Sequence, residues 1–155
     1  MTDNTPVYLH DWAEGGFVEM VGDFENICLT KTEFETSESP WPNASFWREA
    51  KAKMTAALSS ERWQDLEVLL ASYSYENYSG DAFVLFRKNG QLFEVHGGHC
   101  SCYGLEGQWE PEETTIESLE HRLSEGNLGD DYTGNVFAAE LRQVLTELRL
   151  SALLS

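Results

Sequence analysis

Residues 81–109 read DAFVLFRKNGQLFEVHGGHCSCYGLEGQW, and the first half of this stretch decides the fold. Two runs rich in β-branched and aromatic residues flank Asn89-Gly90. That pair suits a two-residue type I′ hairpin turn, because both central positions of the turn need positive φ. With such a turn Lys88 faces Gln91, Arg87 faces Leu92, Phe86 faces Phe93, Leu85 faces Glu94, Val84 faces Val95 and Phe83 faces His96. Directly opposed residues share a face, so Val84, Phe86, Phe93 and Val95 make one fully apolar side. The other side carries Phe83, Leu85 and Leu92 beside Arg87, Glu94 and His96. A mixed side of this kind is expected to be partly covered and to be where binding or chemistry sits. Gly97-Gly98 reads as a second tight turn, with a third strand from His99 to Tyr103.

Working outward, the spacing of Trp47, Ala50, Met54 and Ala57 predicts a helix from about Ala44 to Leu58, with Asn43 as its N-cap. Trp63, Leu66, Leu69 and Leu70 give a second buried stripe, a helix from Glu61 to about Ala71. Ser72 to Tyr75 alternates like a strand. Upstream, Val7-Tyr8-Leu9, Phe17 to Val21 and Ile27-Cys28-Leu29 are short apolar runs interrupted by glycines, which suggest two short strands. Downstream, Thr114 with Glu117 reads as a capping box that opens a helix lined by Ile116, Leu119 and Leu123 and ended by Gly126-Asn127. A last helix from about Asn135 to Leu150 buries Phe137, Leu141, Val144 and Leu148. The chain therefore reads as one acidic α+β domain over residues 1–155: an antiparallel sheet built around a central hairpin (about 82–96), with about four helices packed on it.

Charge restricts the partners. The net charge is −17, from 27 Asp+Glu against 10 Lys+Arg, which disfavours direct binding to nucleic-acid phosphates or an anionic membrane. The acids are segregated: residues 1–40 hold nine against Lys31 alone, and residues 104–131 hold nine against Arg122 alone. The middle of the chain is nearly balanced. It reads as scaffold between two acidic surfaces. Three cysteines, no secretory leader after Met1 and no apolar run near the ~20 residues that span a bilayer point to a reducing cytosol.

The one cluster of soft ligands is His96, His99, Cys100 and Cys102. Imidazole and thiolate are the donors zinc favours, yet structural zinc sites divide their ligands into two separated pairs, which this segment does not do. Burial of Cys100 and Cys102 as small apolar residues is the plainer reading, and no cofactor is expected. A thiolate-imidazolium pair drawn from the same residues is disfavoured by the acidic surroundings, which raise a thiol pKa. Glu94, Glu106, Glu110, Glu112 and Glu113 could supply an acid/base pair, but with acids this abundant a solvated face is the default. Tyr73, Tyr75 and Tyr78 lack the basic groove that base-stacking proteins pair with such rings.

The segment from His99 to Pro111, HCSCYGLEGQWEP, together with Tyr75 to Phe83, resembles a group of small, mostly uncharacterised bacteriophage and prophage proteins. The resemblance covers about residues 73–123 and carries no functional residues with it. It implies an accessory protein in the cytosol of an infected bacterium. The function expected from these features is binding to a basic partner, a host nucleic-acid-binding or defence protein, whose phosphate groove a carboxylate array would occupy. Glu106, Glu110, Glu112, Glu113, Glu117, Glu120, Asp130 and Asp131 are the expected contacts. The alternative is a small zinc- or thiol-dependent enzyme or sensor using His96, His99, Cys100 and Cys102.

Overall fold

The computed structural model describes residues 6–36, 39, 44–76, 79–100, 104–129 and 135–154. At its centre lies the hairpin, with β3 (Ser79–Lys88) and β4 (Gln91–Cys100) joined by Asn89 and Gly90 at φ 53° and 80°. The register is the one read from the sequence, Lys88 opposite Gln91 through Phe83 opposite His96. It does not stop there. Pairing continues to Ser79 opposite Cys100, so Gly97-Gly98 is strand and not a second turn.

Gln108 explains that continuation. Its side-chain amide accepts from Gly98 N–H at 2.7 Å and donates to the Gly98 carbonyl at 2.8 Å, so it serves the outer edge of β4 as a neighbouring strand would. A third bond, to the Gly104 carbonyl at 2.7 Å, closes the loop that carries it. A Cβ on Gly97 would stand 3.0 Å from Leu105 Cδ2 and 3.3 Å from Gln108 Oε1, which is why glycine suits this close approach.

Beside the hairpin runs β2 (Glu67–Glu76), antiparallel to β3, and β1 (Val7–His10) lies parallel to β2. A short β5 (Glu112–Thr114) pairs with β4, giving the order β1-β2-β3-β4-β5. The sheet is therefore mixed, with one parallel edge strand, where the sequence suggested a purely antiparallel one. The helix expected over residues 61–71 is also corrected. Only a single 3₁₀ turn forms at Glu61–Trp63, Asp65 takes a left-handed φ of 61°, and β2 follows. Every residue from Val68 to Ser74 is buried, so β2 has no polar face and its apolar run mimics a helical stripe. A bulge between Val68 and Leu70 resets its alternation.

A further correction lies upstream. Phe17 to Val21 belongs to α1 (Gly16–Glu25), not to a strand, and α2 (Lys31–Glu35) follows the Ile27–Leu29 loop. Met20, Val21 and Phe24 are buried at helical spacing, and left-handed Asn26 ends α1. α3 (Ala44–Leu58) has the expected span and buries Trp47, Ala50 and Met54; its expected cap, Asn43, lies outside the described residues. α4 (Ile116–Ser124) is capped by Thr115 and not Thr114, because Thr114 is the buried last residue of β5. Gly126 and Asn127 close it with paired bonds to the Leu123 and Arg122 carbonyls, as expected. α5 spans Ala138–Leu154, starting and ending later than its periodicity suggested.

The elements form an α+β domain with three layers. α1 and α3 cover one sheet face, the apolar hairpin side, through Met20, Phe24, Trp47 and Met54 packed with Val68, Val84, Phe86 and Val95. Trp63 and Trp109, 4.3 Å apart, extend that core. α4 and α5 cover the other face, where Leu119, Leu123, Leu141 and Leu145 meet Leu70, Phe83 and Leu85. Among the described residues, no helix is long and apolar enough to cross a membrane.

Candidate functional site

Two features of the surface carry chemistry, and both hang on β4. The first is a row of carboxylates at the sheet edge. Glu106 and Glu110 lie in the segment that leads to β5, Glu112 and Glu113 lie in β5 itself, and all four are exposed. Among the described residues none of the four has a hydrogen-bonded or ion-paired cation. Glu117 and Glu120, on α4, are different. Arg149 grips Glu120 through two bonds of 2.9 and 2.6 Å and stands 3.8 Å from Glu117. The Arg149 hydrogen bonds hold the Glu120 carboxyl below the usual range. Asp130 and Asp131 lie outside the described residues.

Four of the N-terminal acids are employed within the fold. Asp23 accepts from the Trp12 indole at 2.7 Å, Glu25 from Trp63 and Arg62 at 2.8 and 3.0 Å, and Glu33 closes a capping box with Thr30. Glu19 accepts from the Lys31 backbone at 3.2 Å.

The second feature is the mixed side of the hairpin. Glu94 is 5% exposed beneath α4, and Arg122 from that helix reaches both of its carboxylate oxygens, Nη1 to Oε1 at 2.7 Å and Nη2 to Oε2. His96 Nε2 meets Glu94 Oε1 at 2.6 Å. Burial pushes the Glu94 carboxyl up, but hydrogen bonds from Arg122, His96 and Thr114 outweigh it and hold the group well below the carboxylate range. A carboxylate held ionised this firmly is a poor proton shuttle. Its role is to fix Arg122 on one side and the imidazole on the other.

Beside His96 the sheet end opens into a cleft of about 250 Å³ lined by Asp81, Phe83, His96, Gly97, Asn127, Leu128, Gly129, Asn135 and Phe137. Phe83 and Phe137 stack at 4.6 Å, with 8° between their planes, to form part of its wall. Asn135, 1% exposed, is fixed through its Oδ1 by the hydroxyl of fully buried Ser72. His96 is itself exposed and packs its ring 5.2 Å from that of Phe83.

Of the expected metal ligands, His96 belongs to the Glu94 network. The side chains of His99 and Cys100, and residue Cys102, lie outside the described residues. Among the described residues no group of three or more His, Cys, Asp or Glu side chains is placed to hold a metal ion. Sequence reasoning missed Arg122, Asn135, Ser72 and Gln108. Arg122 did leave a signal, as the sole cation of an acidic flank. The other three act across separations that no local pattern encodes. Comparison with protein-family models, with curated proteins and with solved structures finds no match.

Proposed function

We propose that the protein works by binding a basic protein partner through the carboxylate row at the β5 edge. The observation that carries this reading is the contrast along one flank: Glu117 and Glu120 share Arg149, while Glu106, Glu110, Glu112 and Glu113 are exposed and, among the described residues, make no hydrogen bond or ion pair with a cation, Arg122 acting on Glu112 only from a distance. Exposed carboxylates on a chain of net charge −17 repel one another, and a cationic partner relieves that repulsion. They also steer such a partner into encounter, as phosphates do. Combined with the phage-like segment, this supports an accessory protein of the infected cell that occupies the phosphate groove of a host nucleic-acid-binding or defence protein.

The test is capture by the tagged protein from nuclease-treated bacterial lysate, washed in parallel at low and high salt. A dominant basic partner, held at low salt and released at high salt, is the expected result. The Glu110→Lys, Glu112→Lys, Glu113→Lys variant should lose that partner. Retention of the partner by the folded triple variant would refute the reading.

A further inference from the structure

The cleft beside His96 is separate from the carboxylate row: none of Glu106, Glu110, Glu112 and Glu113 lines it. Among the described residues, one donor and one acceptor of its lining make no hydrogen bond. Asn135 spends its Oδ1 on Ser72, and its Nδ2 makes no hydrogen bond among the described residues although the residue is 1% exposed. A buried donor left unpaired is costly, so a ligand oxygen would be favoured there. His96 presents the complement. Glu94 is ionised and accepts from Nε2–H, and the tautomer that this bond selects carries its lone pair on Nδ1, an atom with no partner among the described residues.

The remaining surroundings narrow the ligand. Phe83 and Phe137, stacked on each other and buried, supply the apolar part of its lining. Asp81 on the cleft wall disfavours an anion, while the Glu94 charge is already matched by Arg122. We propose that this cleft binds a planar carboxamide, whose carbonyl oxygen accepts from Asn135 and whose N–H donates to His96 Nδ1. Free heteroaromatic amides and the side chain of a partner's glutamine share this chemistry. The assignment does not rest on the acidic-edge reading.

The experiment titrates the ¹⁵N-labelled full chain with nicotinamide, methyl nicotinate and nicotinate, and separately with N-acetylglutamine amide. The amides should move, saturably, the side-chain NH₂ signal of Asn135 and the backbone signals of Gly97, Asn127 and Gly129. The ester lacks the N–H and should bind about tenfold more weakly, and the acid more weakly still. His96→Phe keeps a ring against Phe83 but removes Nδ1, and should weaken amide binding by about tenfold. Tighter binding of nicotinamide would support a free small molecule as the source, and tighter binding of the blocked glutamine a protein side chain. Absence of saturable shifts with either amide would overturn the proposal, as would equal affinity for amide, ester and acid. Should His96→Phe fail to fold, the ranking on the native chain decides alone.

Discussion

Replacing Arg122 by methionine measures what the buried ion pair contributes. The guanidinium bonds both oxygens of a carboxylate that is 5% exposed. Without it, Glu94 stays under α4 with only His96 and Thr114 as partners. Removing one member of a buried pair costs about 3–5 kcal/mol, because the other charge is left uncompensated. The Arg122 side chain is 30% exposed, so water reaches part of the gap and the lower end, about 3 kcal/mol, is expected. For a chain of this size that lowers Tm by about 6–12 °C. Removing both charges should restore most of the loss, so Glu94→Met with Arg122→Met should lie within about 1 kcal/mol of the native protein. The pH dependence carries a definite sign. Native Glu94 has a depressed pKa, so its contribution is present above the ordinary carboxylate value and is lost as pH falls through the folded one. In Arg122→Met burial is largely unopposed and the pKa rises, so the deficit against the native protein should shrink below about pH 5. Urea unfolding followed by tryptophan fluorescence, at neutral and mildly acidic pH, reads all three proteins. A single-variant deficit under about 1 kcal/mol, or a double variant as unstable as the single, would refute the account.

Gln108→Leu removes three hydrogen bonds to Gly98 and Gly104 and should cost about 2–3 kcal/mol, with faster hydrogen exchange at the Gly98 amide. Gly129 and Gly126 share a positive φ, 77° and 75°, but a Cβ on Gly129 would lie 2.7 Å from the Ala138 nitrogen while Gly126 faces open space. Gly126→Ala should therefore cost about 1 kcal/mol and Gly129→Ala distinctly more, an order that thermal melts can check. Reversing Glu110, Glu112 and Glu113 to lysine should change stability by no more than about 1 kcal/mol, since all three are exposed and unpaired among the described residues. The same variant should lose the low-salt partner, which separates recognition from folding in one preparation.

The hairpin was legible because its turn, its β-branched runs and its alternation all agree. α3 was legible because one clean apolar stripe lies between a proline-rich loop and a pair of serines. β2 was not. A strand buried on both faces has no alternation to display, and Trp63, Leu66, Leu69 and Leu70 happen to satisfy a helical period as well. α1 failed in the opposite sense, since Phe17 to Val21 is short and β-branched enough to pass for a strand. The parallel pairing of Val7–His10 with β2 depends on a partner more than sixty residues away, Val7 lying opposite Leu70. At the site, the register alone placed Glu94 and His96 on one partly covered side. Their partners Arg122 and Thr114, and the Ser72–Asn135 contact, arise only when helices close over the sheet.

That closure links the buried pair to the carboxylate row. β5 has three residues, and a strand so short depends on what its few side chains bury. Glu112 and Glu113 point their charge outward, so Thr114 is the buried residue that ties β5 to the fold, and its hydroxyl lies 3.5 Å from Arg122 Nη2. Gln91 adds a bond to the Thr114 carbonyl at 3.2 Å. Arg122 thus joins α4, β4 and β5 at one point. Loss of Arg122 should loosen β5 before it unfolds the domain, visible as faster exchange at Glu112 and Thr114 under conditions where the hairpin amides stay protected. Uniform loss of protection across β3, β4 and β5 would mean that β5 draws its order from the sheet alone and that the acidic edge is positioned independently of the buried pair.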